Sequence, residues 1–300
     1  TTEIYTLSLH DALPILDQFK LNTGLKNPDE QQQYILNYVP VNEQWSYTIG
    51  AVYRHFTSTG FDTYVLSRNY LNNSYYKYRD NDNSTEANKI QDYLSTEAEN
   101  KFRYERNIRK SDYKFNFGVG LEHAQYSNKT FQLVAFAGML DTILYDSKLD
   151  MLNYNAFSQV SKGYFGERLI LSLGVRVDAS NYSSEMVNPL NQFSPRLSAS
   201  YAINEKLYFN FNSGRYFLQP SYTTLGYSNA NGQLINKENG LKYIASNHIV
   251  GGFEYQPNDN TRITIEGFYK TYEKYPFSVK DSVRSEERRV GKECRSRWSA

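Results

Sequence analysis

Apolar and polar side chains alternate with a period of two along most of this sequence, and this pattern constrains the fold more than any other feature. In an extended chain successive side chains point to opposite faces, so such alternation marks a strand with two chemically different sides. From Arg168 to Asp178, Leu169, Leu171, Leu173, Val175 and Val177 share one face; Ile170, Ser172, Gly174 and Arg176 share the other. Tyr113, Phe115, Phe117, Val119 and Leu121 likewise oppose Lys114, Asn116, Gly118, Gly120 and Glu122. The same rhythm runs through Trp45–Arg54 (Val52 breaks it), Lys101–Ile108, Arg196–Tyr201, Leu207–Ser213, His248–Tyr255 and Ile263–Lys270. The chain is all-β.

Strand length narrows the choice. The alternating segments run about ten to twelve residues, against roughly 5–6 in ordinary sheets, and a tilted membrane-crossing strand needs about 9–11. Short links fall near Thr57–Gly60, Lys110–Asp112, Lys162–Gly166, Asn204–Lys206 and Pro257–Asn260. Long polar tracts separate them at Asn72–Glu99, Tyr126–Asp150, Ser180–Asn191 and Leu218–Ile244. Tight turns at one end and long loops at the other describe an antiparallel transmembrane β-barrel of the outer membrane. About ten strands are present, so the sequence taken alone predicts an open, curved sheet with two unpaired edges. Trp45, Tyr53, Tyr113, Tyr201, Tyr216 and Tyr255 fall near strand ends, where amphipathic rings suit the lipid–water boundary.

Composition removes the competing classes. A formal charge of +1 argues against a nucleic-acid binder that neutralises phosphates. One Cys cannot make an internal disulfide or a four-thiolate zinc site. Aromatic residues at 16% are too frequent for a disordered chain, and with a mean hydropathy of −0.67 no apolar run is long enough for a membrane helix. The two ends stand apart. A permitted coding of Thr1–Ile15, reverse-complemented and read in a shifted frame, translates as Arg284–Trp298, and the DNA resembles a sequencing adapter. Residues 1–15 and 284–300 are therefore expected to be adapter-derived, leaving residues 16–283 as a partial barrel. The basic tail (Arg288, Arg289, Lys292, Arg295 and Arg297) then carries no functional weight.

No enzyme chemistry is expected, and neither a cofactor nor a metal. His55, His123 and His248 lie on different strands without Cys partners. Asp80–Ser84 resembles a calcium loop, but Thr85 stands where Gly is needed and Gln91 where Glu is needed. Ser183-Ser184-Glu185 lacks a nucleophile elbow, and Gly118-Val119-Gly120 lacks the rest of a dinucleotide fingerprint. Two groups remain as candidates. Arg103, Arg168, Arg176, Arg196 and Arg262 fall on the polar, lumen-facing side, ready for anionic groups of a solute or for interior salt bridges with Glu105, Asp178 or Glu266. Tyr75, Tyr76 and Tyr78 in one long loop, and Tyr222 and Tyr227 in another, are candidates to stack on a solute ring.

The segments Asn191–Ser198, Ser200–Ala202 and Tyr208–Phe217, with Tyr222–Tyr227 and Leu171–Asp178, resemble TonB-dependent outer-membrane receptors, particularly those of Bacteroides-type bacteria. That resemblance implies a barrel of about 22 strands with an N-terminal plug, importing siderophores, vitamins or glycans with energy from the TonB complex. It also implies outer-membrane lipid as partner, and a surface lipoprotein in some members. Plug, TonB-contacting box and C-terminal strands have no counterpart in the sequence, so a barrel fragment is expected. A passive porin, or a secreted β-rich adhesin or sugar-binding domain, are the other readings of the same pattern.

Overall fold

A computed structural model describes residue 27 and residues 29–276 except 137, 138 and 230. Both terminal tracts assigned to adapter lie outside the described residues. After a short helix α1 (Glu30–Tyr38), whose first turn is closed by reciprocal bonds between Asp29 and Gln32, ten strands follow. They are β1 (Val41–Thr57), β2 (Gly60–Tyr78), β3 (Lys89–Lys110), β4 (Tyr113–Phe136), β5 (Met139–Tyr164), β6 (Leu169–Ser180), β7 (Ser194–Ala202), β8 (Leu207–Leu218), β9 (Ile244–Asn258) and β10 (Thr261–Glu273). Each pairs antiparallel with the next in one sheet of order β1 to β10, leaving β1 and β10 as open edges. No described helix is long and apolar enough to cross a membrane, which has no bearing on crossing by strands.

Register sorts the side chains into two faces. Val65 of β2 lies opposite Arg103, Arg103 opposite Gly120, Gly120 opposite Asn155, and Asn155 opposite Asp178, a row across five strands that carries the polar Arg103, Asn155 and Asp178. The adjacent positions form the opposite face, where Leu66, Val119, Leu121, Leu173 and Ile265 are all exposed. An exposed apolar face of this extent requires a non-aqueous partner, and lipid is the one a long-stranded sheet provides for.

Several strands are much longer than the pattern predicts. β2 to β5 contain 19, 22, 24 and 26 residues. The tracts Asn72–Glu99 and Tyr126–Asp150, expected as loops, are mostly strand. Only residues 79–88 link β2 to β3, and residues 137 and 138 separate β4 from β5. The cause is chemical: beyond Leu121 the outward positions of β4 become His123, Gln125, Ser127 and Lys129, so the apolar signal ends while the ladder of backbone hydrogen bonds continues. The links β6–β7 and β8–β9 are the long loops expected.

Those two loops build the core. Residues 181–193, with the short helix α2 (Ser184–Val187), and residues 219–243, with α3 (Tyr222–Leu225) and α4 (Ile235–Glu238), fold back over the polar face. Tyr182, Met186, Leu225 and Tyr243 pack with Ala124 and Tyr126 of β4 and Leu149 and Met151 of β5. Met151 and Met186 are fully buried. Apolar side chains on an otherwise polar face are explained by this cover.

Candidate functional site

The polar face beneath the two loops is the candidate site. On β3 the inward positions Glu97, Glu99, Lys101, Arg103 and Glu105 form a charged column, ordered by the strand's period of two. Lys101 Nζ lies 2.7 Å from Glu99 Oε2 and 3.1 Å from Glu122 Oε2 of β4. Glu122 Oε1 accepts from Asn153 Nδ2 of β5 at 2.8 Å, and the same Nδ2 reaches Gln219 Oε1 of the folded-in loop at 3.1 Å. Below this network lies a hollow of about 460 Å³, lined in part by Arg103, Glu105, Gly120, Phe157, Arg176 and Arg196. Gly118 is required here: a Cβ on it would stand 2.8 Å from Phe157 Cε1 and press on the Tyr104 carbonyl, whereas one on Gly120 would meet only the movable end of the Asn155 side chain, at 2.6 Å from Nδ2.

The arginines divide by partner. Arg176 Nη2 meets Asp178 Oδ1 at 2.6 Å, the interior salt bridge anticipated from sequence. Arg262 Nη2 meets Glu254 Oε2 at 2.6 Å rather than Glu266, Glu254 lying opposite Thr264, the next residue on the same face. Arg168 Nη2 donates to the Ile203 carbonyl at 3.2 Å, tying two short turns. Arg103 is exposed and makes no ion pair with Glu105, whose Oε1 accepts from Asn107 and Asn116 instead. Arg196 is stacked over the Tyr216 ring at 4.6 Å, with no carboxylate partner among the described residues.

The tyrosines separate more sharply. Tyr75, Tyr76 and Tyr78 lie in β2, not in a loop. Tyr75 faces inward and stacks on Tyr93 at 4.4 Å; Tyr76 takes the opposite face; Tyr78 is buried and donates to Glu86 Oε1 at 2.8 Å. Tyr222 lies in the folded-in loop and donates to Glu99 Oε1 at 2.5 Å, with its ring stacked 6.2 Å from Tyr126. Burial first, then this bond and the nearby Glu122 and Glu97, pushes the Tyr222 hydroxyl far above its usual range, so it stays a donor. Tyr227 is 53% exposed. Tyr145 and Tyr182 hold the loop from either side through the Gly226 and Leu225 carbonyls at 2.9 and 2.7 Å.

Of the aromatic boundary residues, Trp45, Tyr53, Tyr113, Tyr201 and Tyr255 are exposed on the apolar face. Tyr216 is the exception: it shares the polar face with Arg196 and His248, because its position has the parity of Gly214 and Asn212. The Glu99–Lys101–Glu122 network was not singled out from sequence. The signal was present, however, as five charged residues at every second position of one strand.

A sheet of membrane-length strands with one lipid-ready face, one charged face and its long loops folded over the charged side defines a segment of a large outer-membrane barrel wall. The model of the family "TonB dependent receptor-like, beta-barrel" matches residues 5–296, and the chain belongs to that family. The match passes through most of both terminal tracts. Among solved structures, the copper transporter OprC resembles it with a TM-score of 0.56 at 15% identity, over 79% of this chain and 40% of that one. The ferric enterobactin receptor of Pseudomonas aeruginosa resembles it at 0.57 and 17%, over 82% and 37%. The siderophore receptor PirA of the same organism gives 0.54 and 15%, over 82% and 44%. The chain thus spans less than half the length of these neighbours, which share its fold. No curated protein matches it. The family places the chain in the wall of an outer-membrane β-barrel of the TonB-dependent receptor type.

Proposed function

We propose that the chain forms about ten wall strands of a TonB-energised importer of a bulky solute of the siderophore, vitamin or glycan type. The observation that carries this is the inner face itself, where Arg103 and Arg196 line one hollow and have no carboxylate partner among the described residues. A guanidinium left without an acid is a ready site for a carboxylate, catecholate or phosphate. Three structural neighbours, two siderophore receptors and a copper transporter, support a metal-chelate cargo. Tyr227, and the stacked Tyr75 and Tyr93, supply ring contacts at the mouth; Arg176 and Arg262 shape the field while held by their own acids. The TonB complex acts through a region beyond these residues. A Bacteroides-type origin, a surface lipoprotein partner and adapter-derived termini belong to the same proposal; resequencing of the intact gene tests the last.

The deciding experiment measures accumulation of a labelled ferric siderophore by cells carrying the full-length receptor, with and without a proton ionophore. Uptake lost with the ionophore, and binding weakened about tenfold by Arg196→Gln, is expected. Uptake indifferent to the ionophore would reveal a passive pore and overturn the reading.

A further inference from the structure

On the lipid side, two basic side chains high on the strands have acids beside them. His123 Nε2 of β4 lies 3.1 Å from Asp150 of β5, and Arg215 Nη2 of β8 lies 3.1 Å from Glu273 of β10. Arg68 of β2 differs. Its Nε donates to Tyr47 Oη at 3.0 Å and its Nη1 to Asn100 Oδ1 at 2.8 Å, both neutral acceptors. These two bonds fix the guanidinium through Nε and Nη1, and among the described residues nothing accepts from Nη2.

Arg68 sits at a defined depth. It lies eight residues above the start of β2 at Gly60, about 27 Å along a strand. At a tilt of ~40° that is about 20 Å above the turn, and on the lipid face Arg68 stands four residues above Tyr64 and two below Tyr70. The neighbouring residues agree. Below it Leu66 is 60% exposed and, across the pair, Ile49 is 53% exposed. Above it the same face carries Asn72 and Ser74, and Trp45, Tyr47 and Tyr70 form a ring cluster with centroids 5.0–6.3 Å apart. A cation at the edge of hydrocarbon is costly without an anion.

We infer that Arg68, fixed by Tyr47 and Asn100, is a binding site for the phosphate of an outer-leaflet lipid headgroup. The free edge of the guanidinium meets phosphate oxygens as a fork, while the acyl chains descend over Leu66 and Ile49 and the headgroup rests against the Trp45–Tyr47–Tyr70 rings. This site is on the face opposite Arg103 and Arg196 and does not depend on which solute is carried.

The full-length receptor in nanodiscs of zwitterionic phospholipid, doped with lipid A bearing its phosphates or with dephosphorylated lipid A, tests the site by native mass spectrometry of retained lipid. Wild type is expected to retain the phosphorylated form preferentially. Arg68→Gln should cut that retention at least about tenfold, as loss of a charged hydrogen-bonded contact does. Arg68→Lys keeps part of it, being a point charge without the fork, and Arg215→Gln changes nothing. Folding of each variant is verified by heat-modifiable electrophoretic mobility. Equal retention of the two lipids by wild type, or undiminished retention by folded Arg68→Gln, overturns the inference; the wild-type comparison decides even where a variant fails to fold. Displacement of the lipid by inorganic phosphate alone would mean a soluble-anion site and would overturn the lipid assignment.

Discussion

Replacing Leu173 by Arg tests which face of the sheet meets lipid. Leu173 is the third of the six outward positions of β6, from Leu169 to Ala179, and therefore sits near mid-band. It is 59% exposed and lies between Val160 of β5 and Leu197 of β7. An arginine at the mid-plane of a barrel's outer face costs about 2–4 kcal/mol. The adjacent Ser172 points inward and donates to Ser161 Oγ at 2.7 Å; Ser172→Arg loses that bond, about 1 kcal/mol, and projects its charge into water. The two neighbouring substitutions should thus differ by about 1–3 kcal/mol, or about 5-fold to 150-fold in the folding equilibrium. Reversible urea titration of the full-length receptor in phospholipid vesicles reads this difference directly. Leu173→Arg costing no more than Ser172→Arg would refute the assignment of faces.

Three further outcomes follow from individual contacts. Gly118→Ala should destabilise the barrel by about 1–3 kcal/mol through overpacking, seen as a lowered urea midpoint, while Gly174→Ala, whose Cβ would find its nearest atom at 3.7 Å, should be nearly neutral; equal effects would contradict the packing. Tyr222→Phe removes the bond to Glu99 and should speed hydrogen exchange across residues 219–243 by about tenfold or more, at about 1.5–3 kcal/mol for a bond to a charged group, with the strands unaffected. Unchanged exchange would show that the hydroxyl does not hold the loop. In a variant with every other tryptophan replaced by Phe, Trp45 fluorescence should be quenched by brominated phospholipid far more than by iodide, and the reverse result would remove Trp45 from the boundary.

What the sequence revealed depended on contrast between the two sides of each strand. Where hydrocarbon lies outside and water inside, as along Tyr113–Leu121 or Leu169–Val177, every second residue changes character and the strand is legible. Past the membrane both faces of β2 to β5 meet water. Leu94 and Lys129 can then occupy equivalent outward positions, the alternation loses its cause, and the extension of the strands read as loop. Tyr75, Tyr76 and Tyr78 were misplaced for that reason. Tyr216 was misassigned differently: nearness to a strand end outweighed its parity, although parity with Asn210 and Asn212 pointed inward. Arg176 paired as expected because its acid lies two residues away on the same face, a local relation. The Tyr222–Glu99 bond joins residues 123 positions apart and left no local trace.

The length of β4 and β5 has a consequence for what the cell presents to its surroundings. Beyond Leu152, the last apolar outward residue of the band on β5, residues 139–151 continue in register with β4 for about 40 Å of paired backbone. An antibody or a phage fibre arriving from outside therefore encounters a stiff paired ribbon, backed by β3 along Ala124–Gln132, with fixed spacing and not a slack tether. Single substitutions at Asp146, Lys148 or Asp150 alter the chemical face of that ribbon while leaving its hydrogen-bonded geometry in place, which gives such a surface room to vary under immune or viral pressure without disturbing the wall that anchors it.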